Sequence, residues 1–420
     1  MTIFFTIDDI SGRGGTERVV ANLANAFSPQ HRIIIITYHL RFSEISVPLP
    51  KNTQIINLED IYGDFEPKGT IGKLKLCHYI NKIIRANGGK SNALIANCNV
   101  FYPFFKRRDT KYIRLEHYNF KFLHRKYIDK KPFMPRIRLF DSLVILSSHE
   151  LPLWQKLNSN INAIPNFLPD IPQTSTNHSQ KVVLSVGRMD NGDQKGFLRL
   201  LDIWKMVREH IASLSGESNA NDLSLQNSTN YATFSSLRGS GEATTKQSIK
   251  AIKEIDCHDF DKSNSRNDEV ENDLREWKLI IVGDGVLKSE IESKINALNL
   301  SQSVILKPFT KDIEREYLGA SIYAMASHFE GFGMVLVEAS SYELPCIAFD
   351  VATGPSDIIE HNKSGFLVPD NDLEGYAKHL IALMGDESMR ANFGKEAKRI
   401  VSERFSKEVV MQKWREMFKE

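Results

Sequence analysis

The sequence predicts an α/β protein with two doubly wound halves, each a parallel β-sheet covered by helices. Short β-branched runs recur along the chain, and most are continuously apolar, as expected of parallel strands buried on both faces. Helical patterns lie between many of these runs, which is typical of parallel α/β units. Because the runs fall into two series, we expect two such units in one chain.

Length and composition agree with this prediction. The chain has 420 residues, enough for two domains at roughly 100–200 residues each. Hydrophobic residues make up 41% and charged residues 25%, which suits a globular protein with a large core. The net charge of +2 gives no global argument for nucleic-acid binding. The scattered cysteines predict neither a disulfide framework nor a zinc cluster, and no signal peptide or membrane-spanning run is found.

Individual elements follow from these patterns. Thr16–Phe27 has apolar residues at i, i+3, i+4 and i+7 and is predicted to be an amphipathic helix. The segment Lys407–Glu420 is also predicted to be helical, with its packing partner left open. The strands predicted for the first half are Ile3–Ile7, Ile33–Thr37, Gln54–Leu58, Ala93–Ala96, Tyr112–Leu115 and Ser142–Leu146. Those predicted for the second half are Lys181–Val186, Lys278–Val282, Val304–Leu306, Ile322–Ala326, Pro345–Phe349 and Gly365–Pro369.

The domain boundary is predicted within Asn166–Asn177, because the prolines there suppress helices and interrupt sheet ladders. We therefore assign residues 1–167 to an N-terminal domain, 168–406 to a C-terminal domain and 407–420 to a C-terminal helix. The second domain carries a low-complexity insertion at 213–275, rich in Ser and Asn and poor in large apolar residues. Such a segment buries too little surface to offset the entropy of ordering it, so we expect a disordered or loosely helical loop.

Glycine-rich or basic turns follow the first strand of each half. Gly14 and Gly15 lie between a strand and a helix, where free N–H groups can bind an anion. The dinucleotide fingerprint is absent, so NAD binding is not expected. In the second half, Arg188 and Lys195 lie after a strand, where cations can hold a phosphate. A plain βα turn and two solvated cations are the alternatives left open.

The most informative segment is Ser327–Ala339, which joins a predicted strand to a helix-like stretch. Its glycines leave the backbone free at the helix start, so N–H groups there can hold a phosphate. Glu330 in the loop and Glu338 in the helix can accept hydrogen bonds from the vicinal hydroxyls of a sugar or ribose. The segment therefore predicts a sugar-nucleotide site, with an acid-rich helix start as the alternative.

Taken together, these motifs resemble the family 4 glycosyltransferases of the GT-B fold, which are retaining enzymes that use sugar nucleotides. The resemblance covers nearly the whole chain except the insertion. It implies an α/β GT-B architecture, with two doubly wound Rossmann-like domains facing each other across a cleft. The motifs that carry it are Gly14–Val19, Val186–Arg188, Gln194–Gly196, Val282–Gly285, the Glu330/Glu338 pair and Thr353–Ile359.

The resemblance also implies roles for single residues. Arg188 and Lys195 would bind the donor diphosphate, although their spacing of seven positions is wider than is usual in the family. Glu330 would hold the donor sugar, and Glu338 the ribose. His117 would lie near the reacting sugar, with packing at a strand end as its alternative role. The remaining donor-binding positions are Gly14 and Gly15 at the diphosphate, the backbone of Phe309 at the base, and the N–H groups of Gly333, Met334 and Val335.

A basic segment predicts the acceptor side. Phe104–Arg138 holds twelve Lys or Arg and three Asp or Glu, interleaved with eight aromatic residues. Basic residues bind anionic membrane surfaces and aromatic rings suit the water–lipid boundary, so we predict an acceptor and membrane role, with a solvated basic face as the alternative. No nucleic-acid module motif accompanies the segment. The residues assigned to this role are Lys106, Arg107, Arg108, Lys121, Arg125 and Lys126.

The predicted function is retaining transfer of a hexose or N-acetylhexosamine, of galactose or N-acetylgalactosamine type, from a UDP-sugar. The predicted acceptor is a lipid-linked oligosaccharide or lipopolysaccharide-type glycan at the inner face of the cytoplasmic membrane. No metal or other cofactor is expected, and Asp370-Asn371-Asp372 is interpreted as a polar turn rather than a metal motif. The rival hypotheses are a sugar-nucleotide epimerase or phosphorylase on the same scaffold and a non-catalytic glycan- or membrane-binding protein.

Overall fold

The computed structural model describes residues 1–12, 14–45, 47–63, 67, 69–97, 101–127, 136–214 and 273–419. The side chains of residues 124–127 and 419 lie outside this description. In the described part, both halves of the chain form parallel sheets, and these sheets confirm the predicted α/β fold class.

The N-terminal sheet has seven parallel strands in the order β3-β2-β1-β4-β5-β6-β7. β1 is an interior strand, because it pairs with β2 at one edge and with β4 at the other. The seventh strand is absent from the sequence prediction, since its three half-buried residues form no apolar run. The bounds are β1 Thr2–Asp9, β2 Arg32–His39, β3 Gln54–Asn57, β4 Asn92–Ala96, β5 Thr110–Leu115, β6 Ser142–Ile145 and β7 Ile161–Ala163.

The C-terminal sheet has six parallel strands in the order β10-β9-β8-β11-β12-β13. This order repeats that of the first six strands of the N-terminal sheet, so the two domains are doubly wound in the same way. Ligands of such sheets bind beyond the carboxyl ends of the strands. The bounds are β8 Val182–Val186, β9 Lys278–Val282, β10 Val304–Lys307, β11 Ile322–Met325, β12 Cys346–Asp350 and β13 Gly365–Pro369.

Helices cover both sheets. The first helix begins one residue before the predicted start and buries its apolar stripe against β1 and β2. The helix after β8 runs on to Leu214, so Ser213 and Leu214 are helical rather than part of the insertion. The helices are α1 Gly15–Phe27, α2 Leu58–Tyr62, α3 Gly69–Asn87, α4 Phe120–Tyr127, α5 Leu151–Trp154, α6 Phe197–Leu214, α7 Lys288–Ala297, α8 Ile313–Leu318, α9 Met334–Ser341, α10 Pro355–Ile358, α11 Leu373–Gly385, α12 Glu387–Phe405 and α13 Lys407–Lys419.

The C-terminal helix α13 packs on the N-terminal domain. Trp414 is buried, and its ring meets the edge of Phe27 from α1 at a centroid distance of 5.8 Å. Lys111 at the start of β5 donates from Nζ to the carbonyl oxygen of Met417 at 2.7 Å. The chain therefore returns to its first domain after completing the second, which answers the packing question that the sequence leaves open.

The chain crosses between the domains at two adjacent places. The N–H of Leu168, just after the N-terminal sheet, donates to the carbonyl oxygen of Phe405 at 3.0 Å. Leu168 and Ser406 also form an isolated parallel bridge. The outgoing and returning segments are thus hydrogen-bonded to each other where the domains meet.

Several sequence predictions fall on residues that the structure does not describe. Within the predicted insertion at 213–275, residues 215–272 lie outside the described part of the chain.

None of the described helices is long and apolar enough to span a membrane. Cys77 and Cys346 are buried free thiols.

Candidate active site

The glycine turn of the first domain faces a cation of the second. Gly14 precedes α1 in an extended conformation and, as a glycine, offers no side-chain cap to this helix. A Cβ atom on Gly14 would lie 2.5 Å from Oε2 of Glu17 and 3.8 Å from Nη1 of Arg188. Arg188 follows β8, and its guanidinium also pairs with Asp190 at 2.9 Å. Two predicted phosphate-binding features therefore face the same space between the sheets.

Gly15 faces open space on the same side, since a Cβ atom on it would meet nothing within 4 Å. Gly15 and Met334, the first residue of α9, line one interdomain cavity of about 50 Å³. Gly333, just before α9, has φ +87°, a left-handed conformation that favours glycine. The first N–H groups of a helix have no intrahelical acceptor, so those of Met334 and Val335 are available to an anion.

The two domains touch at the loop that carries Glu330. A Cβ atom on Gly331 would lie only 2.1 Å from the carbonyl oxygen of His117, so this position excludes any side chain. Asn119 of the first domain donates from Nδ2 to the carbonyl oxygen of Glu330 at 2.9 Å, and Thr353 donates to the same oxygen at 2.8 Å. The backbone of Glu330 is thus fixed from both domains.

The carboxylate of Glu330 pairs with Lys195. The Nζ–Oε1 distance is 2.7 Å, and the side chains of Lys195 and Glu330 are only 21% and 6% exposed. The wide spacing between Arg188 and Lys195 is absorbed by a turn, in which Gly192 has φ +83° and Asp193 has φ +47°. Lys195 therefore reaches the predicted sugar site in spite of the spacing.

Glu338 on α9 accepts hydrogen bonds at both oxygens. Tyr317 donates to Oε2 at 3.0 Å, and burial followed by the Glu338 charge raises the pKa of Tyr317, which keeps it a donor. Arg18 of α1 donates from Nη1 to Oε1 at 2.5 Å, across the domain boundary. Neither partner is among the predicted site residues. Arg18 does lie within the Gly14–Val19 motif, whereas Tyr317 has no sequence signal.

Phe309 follows β10 at the predicted base site. Its N–H donates to Oδ2 of Asp284 at 2.7 Å, so the backbone is held while the ring is exposed. This hydrogen bond and the nearby Lys288 ammonium lower the pKa of Asp284. The loops after β9 and β10 are therefore tied together at the carboxyl edge of the sheet.

His117 follows β5 and is held by Asn97 at the end of β4. Nε2 of His117 lies 3.0 Å from Oδ1 of Asn97, an acceptor, so Nε2 carries a proton in this arrangement. Burial, followed by the Arg114 charge, lowers the pKa of His117 to about 3. The imidazole is therefore neutral near pH 7 and can exchange hydrogen bonds with a sugar without adding a positive charge.

The predicted basic patch is divided by the sheet. Lys106 pairs with Asp141 at 2.6 Å, and Arg107 pairs with Asp109 at 2.6 Å. These residues and exposed Arg108 lie just before β5 or β6, at the amino edge of the sheet. Lys121 is exposed and follows β5, at the carboxyl edge near His117. Six residues of β5, about 20 Å, separate the two groups. Arg125 and Lys126 lie on α4, and their side chains are outside the described part.

The segment Asp370–Asp372 has structural partners. Arg199 donates from Nη1 to Oδ1 of Asp370 at 2.9 Å and to Oδ1 of Asn371 at 3.1 Å. Asp372 caps α11 by accepting from the N–H of Gly375 at 2.9 Å. These contacts account for both carboxylates as parts of a polar turn.

Comparison with known proteins adds to this geometry. Residues 229–400 match the family described as "Glycosyl transferases group 1". The chain is 26% identical over 429 residues to the amylovoran biosynthesis glycosyltransferase AmsD of Erwinia amylovora, with 99% of each protein covered. It is 23% identical over 407 residues to the GalNAc-alpha-(1->4)-GalNAc-alpha-(1->3)-diNAcBac-PP-undecaprenol alpha-1,4-N-acetyl-D-galactosaminyltransferase of Campylobacter jejuni, with 95% of this chain and 93% of the relative covered.

Solved structures agree on the architecture. A mutant of TarM from S. aureus, crystallised with Fondaparinux, alpha-GlcNAc-glycerol and UDP, superposes with a TM-score of 0.69 at 15% identity, and all of both chains is covered. The chain therefore has the two-domain α/β architecture of the GT-B fold, and its second domain matches the group 1 glycosyl transferases. Its relatives over the full length are named as glycosyltransferases.

Proposed function

We propose that this enzyme transfers a hexose or N-acetylhexosamine from a UDP-sugar to a bacterial surface glycan, with retention of the anomeric configuration. The observation that carries the donor part is the pair of engaged carboxylates, Glu330 and Glu338, beside the free start of α9. The carboxylate of Glu330 suits the hydroxyls of the sugar, and that of Glu338 suits the hydroxyls of the ribose. The start of α9 between them suits the diphosphate.

Charge separation explains how these groups would act. Cleavage of the anomeric C–O bond leaves positive charge on the sugar and negative charge on the departing diphosphate. We propose that Arg188, Lys195 and the N-termini of α1 and α9 stabilise the negative side, since such preorganised electrostatics usually make the largest contribution to catalysis. We therefore propose that the reaction needs no metal or other cofactor.

The proposed reaction uses no protein nucleophile. The carboxylate of Glu330 is paired with Lys195 and nearly buried, which suits binding of sugar hydroxyls better than attack at carbon. The leaving phosphate would accept the proton of the acceptor hydroxyl on the same face of the sugar, so that the new bond forms on the side where the old one breaks. Neutral His117 would hydrogen-bond a hydroxyl of the donor sugar.

The acceptor is proposed from the relatives. AmsD is named for amylovoran biosynthesis, and the Campylobacter relative for a diphosphate-undecaprenol-linked acceptor. We propose a glycan acceptor that is lipid-linked or of lipopolysaccharide type, a donor of galactose or N-acetylgalactosamine type, and attachment to the inner face of the cytoplasmic membrane. Exposed Lys121 lies on the side of the cleft and is the basic residue that we retain for contact with the acceptor.

A UDP-sugar screen tests the donor part. The correct donor should raise the melting temperature of the wild type, because a bound ligand stabilises the folded state. Arg188→Ala should abolish both this shift and UDP release with membrane extract. Arg32→Ala replaces an exposed arginine at the amino end of β2, away from the cleft, and should retain both. A full thermal shift and full UDP release in the Arg188→Ala protein would discard the proposed donor site.

The same screen separates the rival enzyme. A sugar-nucleotide epimerase would convert the UDP-sugar to an isomer without any acceptor, whereas the proposed transferase releases UDP only when the acceptor is added. Addition of EDTA should leave the transferase rate unchanged. Loss of activity that Mg²⁺ or Mn²⁺ restores would contradict the proposal that no metal is needed.

A further inference from the structure

Three aromatic rings form a stack across the domain boundary. Phe122 on α4 lies between Tyr118 and Phe329, with ring centroids 5.1 and 5.0 Å away and interplanar angles of 22° and 20°. Tyr118 and Phe122 belong to the first domain, and Phe329 belongs to the loop after β11 in the second. We call these three residues the aromatic stack. Neighbouring rings of the stack are nearly parallel.

The aromatic stack lies beside the residues proposed for the reaction. Tyr118 directly follows His117, and Phe329 directly precedes Glu330. A Cβ atom on Gly331 would lie 4.0 Å from Cα of Tyr118, which places the tyrosine against the Glu330 loop. The stack therefore lies beside the proposed sugar site, on the side of the first domain, where an acceptor would approach.

Tyr118 at the end of the stack remains 44% exposed, although Phe122 covers one face of its ring. Burial, followed by the carboxylates of Glu116 and Glu17, raises the pKa of Tyr118, and Arg188 opposes this effect. The hydroxyl of Tyr118 therefore keeps its proton near pH 7 and can donate and accept hydrogen bonds.

A pyranose ring fits these features. One face of many pyranoses presents C–H groups, which pack on an aromatic face, while the hydroxyls at the edge hydrogen-bond to surrounding polar groups. We propose that the exposed face of Tyr118, backed by Phe122 and Phe329, binds a pyranose ring of the acceptor glycan. This inference rests on the proposed function and adds the contact that would position the acceptor.

The test measures binding of methyl α-D-galactopyranoside and methyl α-D-glucopyranoside by saturation-transfer NMR, with UDP present. Tyr118→Leu keeps the apolar volume but removes the flat face, and should weaken binding of the better pyranoside about tenfold. Tyr118→Phe keeps the face and should bind nearly as the wild type does. Tyr62→Leu removes another stacked tyrosine of the same domain, 3.7 Å from Tyr79, and should change nothing.

UDP affinity, measured by calorimetry, separates this proposal from the function on which it rests. We expect Tyr118→Leu to bind UDP as the wild type does and to melt at a similar temperature. Equal pyranoside binding by Tyr118→Leu and wild type, or no pyranoside binding by the wild type, would overturn the proposed contact between Tyr118 and a pyranose. Neither result would affect the proposed donor site. Failure of the wild type to bind UDP would instead overturn the proposed function.

Discussion

Arg18 is expected to compete with the donor nucleotide. Its guanidinium contacts Oε1 of Glu338, the carboxylate proposed to hold the ribose hydroxyls. Tyr317 already donates to Oε2, so we expect the ribose hydroxyls to displace Arg18 from Oε1 when they bind this carboxylate. Replacing Arg18 with alanine should therefore tighten the binding of UDP rather than weaken it.

The size of the effect follows from exposure. The side chain of Arg18 is 51% exposed and that of Glu338 is 15% exposed, so the pair is partly screened by water. Exposed ion pairs contribute roughly 0.2–1 kcal/mol and hydrogen bonds to charged groups somewhat more. Taking about 1 kcal/mol as the cost of displacing Arg18, the Kd for UDP should fall about fivefold in Arg18→Ala.

The assay is titration calorimetry of UDP with the wild type and four variants. Arg18→Ala should bind more tightly than the wild type. Arg32→Ala should bind equally, since Arg32 lies at the amino end of β2 and donates to the carbonyl oxygen of Asn87. In Glu338→Gln, binding should be weak whether or not Arg18 is also replaced. Weaker UDP binding by Arg18→Ala would refute the reasoning, because it would mean that Arg18 holds the nucleotide instead of competing with it.

Two further predictions concern stability. The pKa of His117 is about 3 in the folded protein, against 6.5 for an ordinary histidine, so between these two pH values only the unfolded chain binds this proton. The contribution of His117 to the free energy of unfolding is therefore complete above pH 6.5 and is lost as the pH falls towards 3. Urea unfolding at several pH values should thus show a shallower acid dependence for His117→Asn, by up to ~1.4 kcal/mol per pH unit, and identical slopes would contradict this. Trp414→Ala should lower the free energy of unfolding by about 3–5 kcal/mol, because it removes a buried side chain. Lys413→Ala, on the exposed side of α13, should change this free energy little. Equal losses in the two variants would mean that α13 is not anchored through its tryptophan.

Much of the fold could be predicted because buried parallel strands carry continuous apolar runs. Most predicted strands match the observed ones to within a residue or two at each end, as Ile3–Ile7 matches Thr2–Asp9. The exception, Ile161–Ala163, is a short edge strand whose half-buried residues leave no such run. Burial on both faces, rather than strand propensity, is the property that the sequence reports.

The site could be predicted as far as topology determines it. Arg188, Glu330 and His117 all follow strands, and the carboxyl ends of parallel strands lie at one edge of a sheet. Contacts between the domains depend on how the two sheets face each other, which no local pattern records. Arg18 at Glu338 and the aromatic stack are contacts of this kind. Lys106 and Lys121 likewise belong to one basic segment of the sequence, but β5 separates them in the structure.

The return of α13 to the first domain has a consequence for synthesis on the ribosome. Phe27 lies on a surface that stays uncovered until Trp414 has been translated. Domains that are contiguous in sequence can fold one after the other as they emerge from the ribosome. The first domain, however, is completed only by α13, which is translated after the second domain. The first domain should therefore be a client of chaperones during translation, and premature termination before α13 should yield a protein that is prone to aggregate.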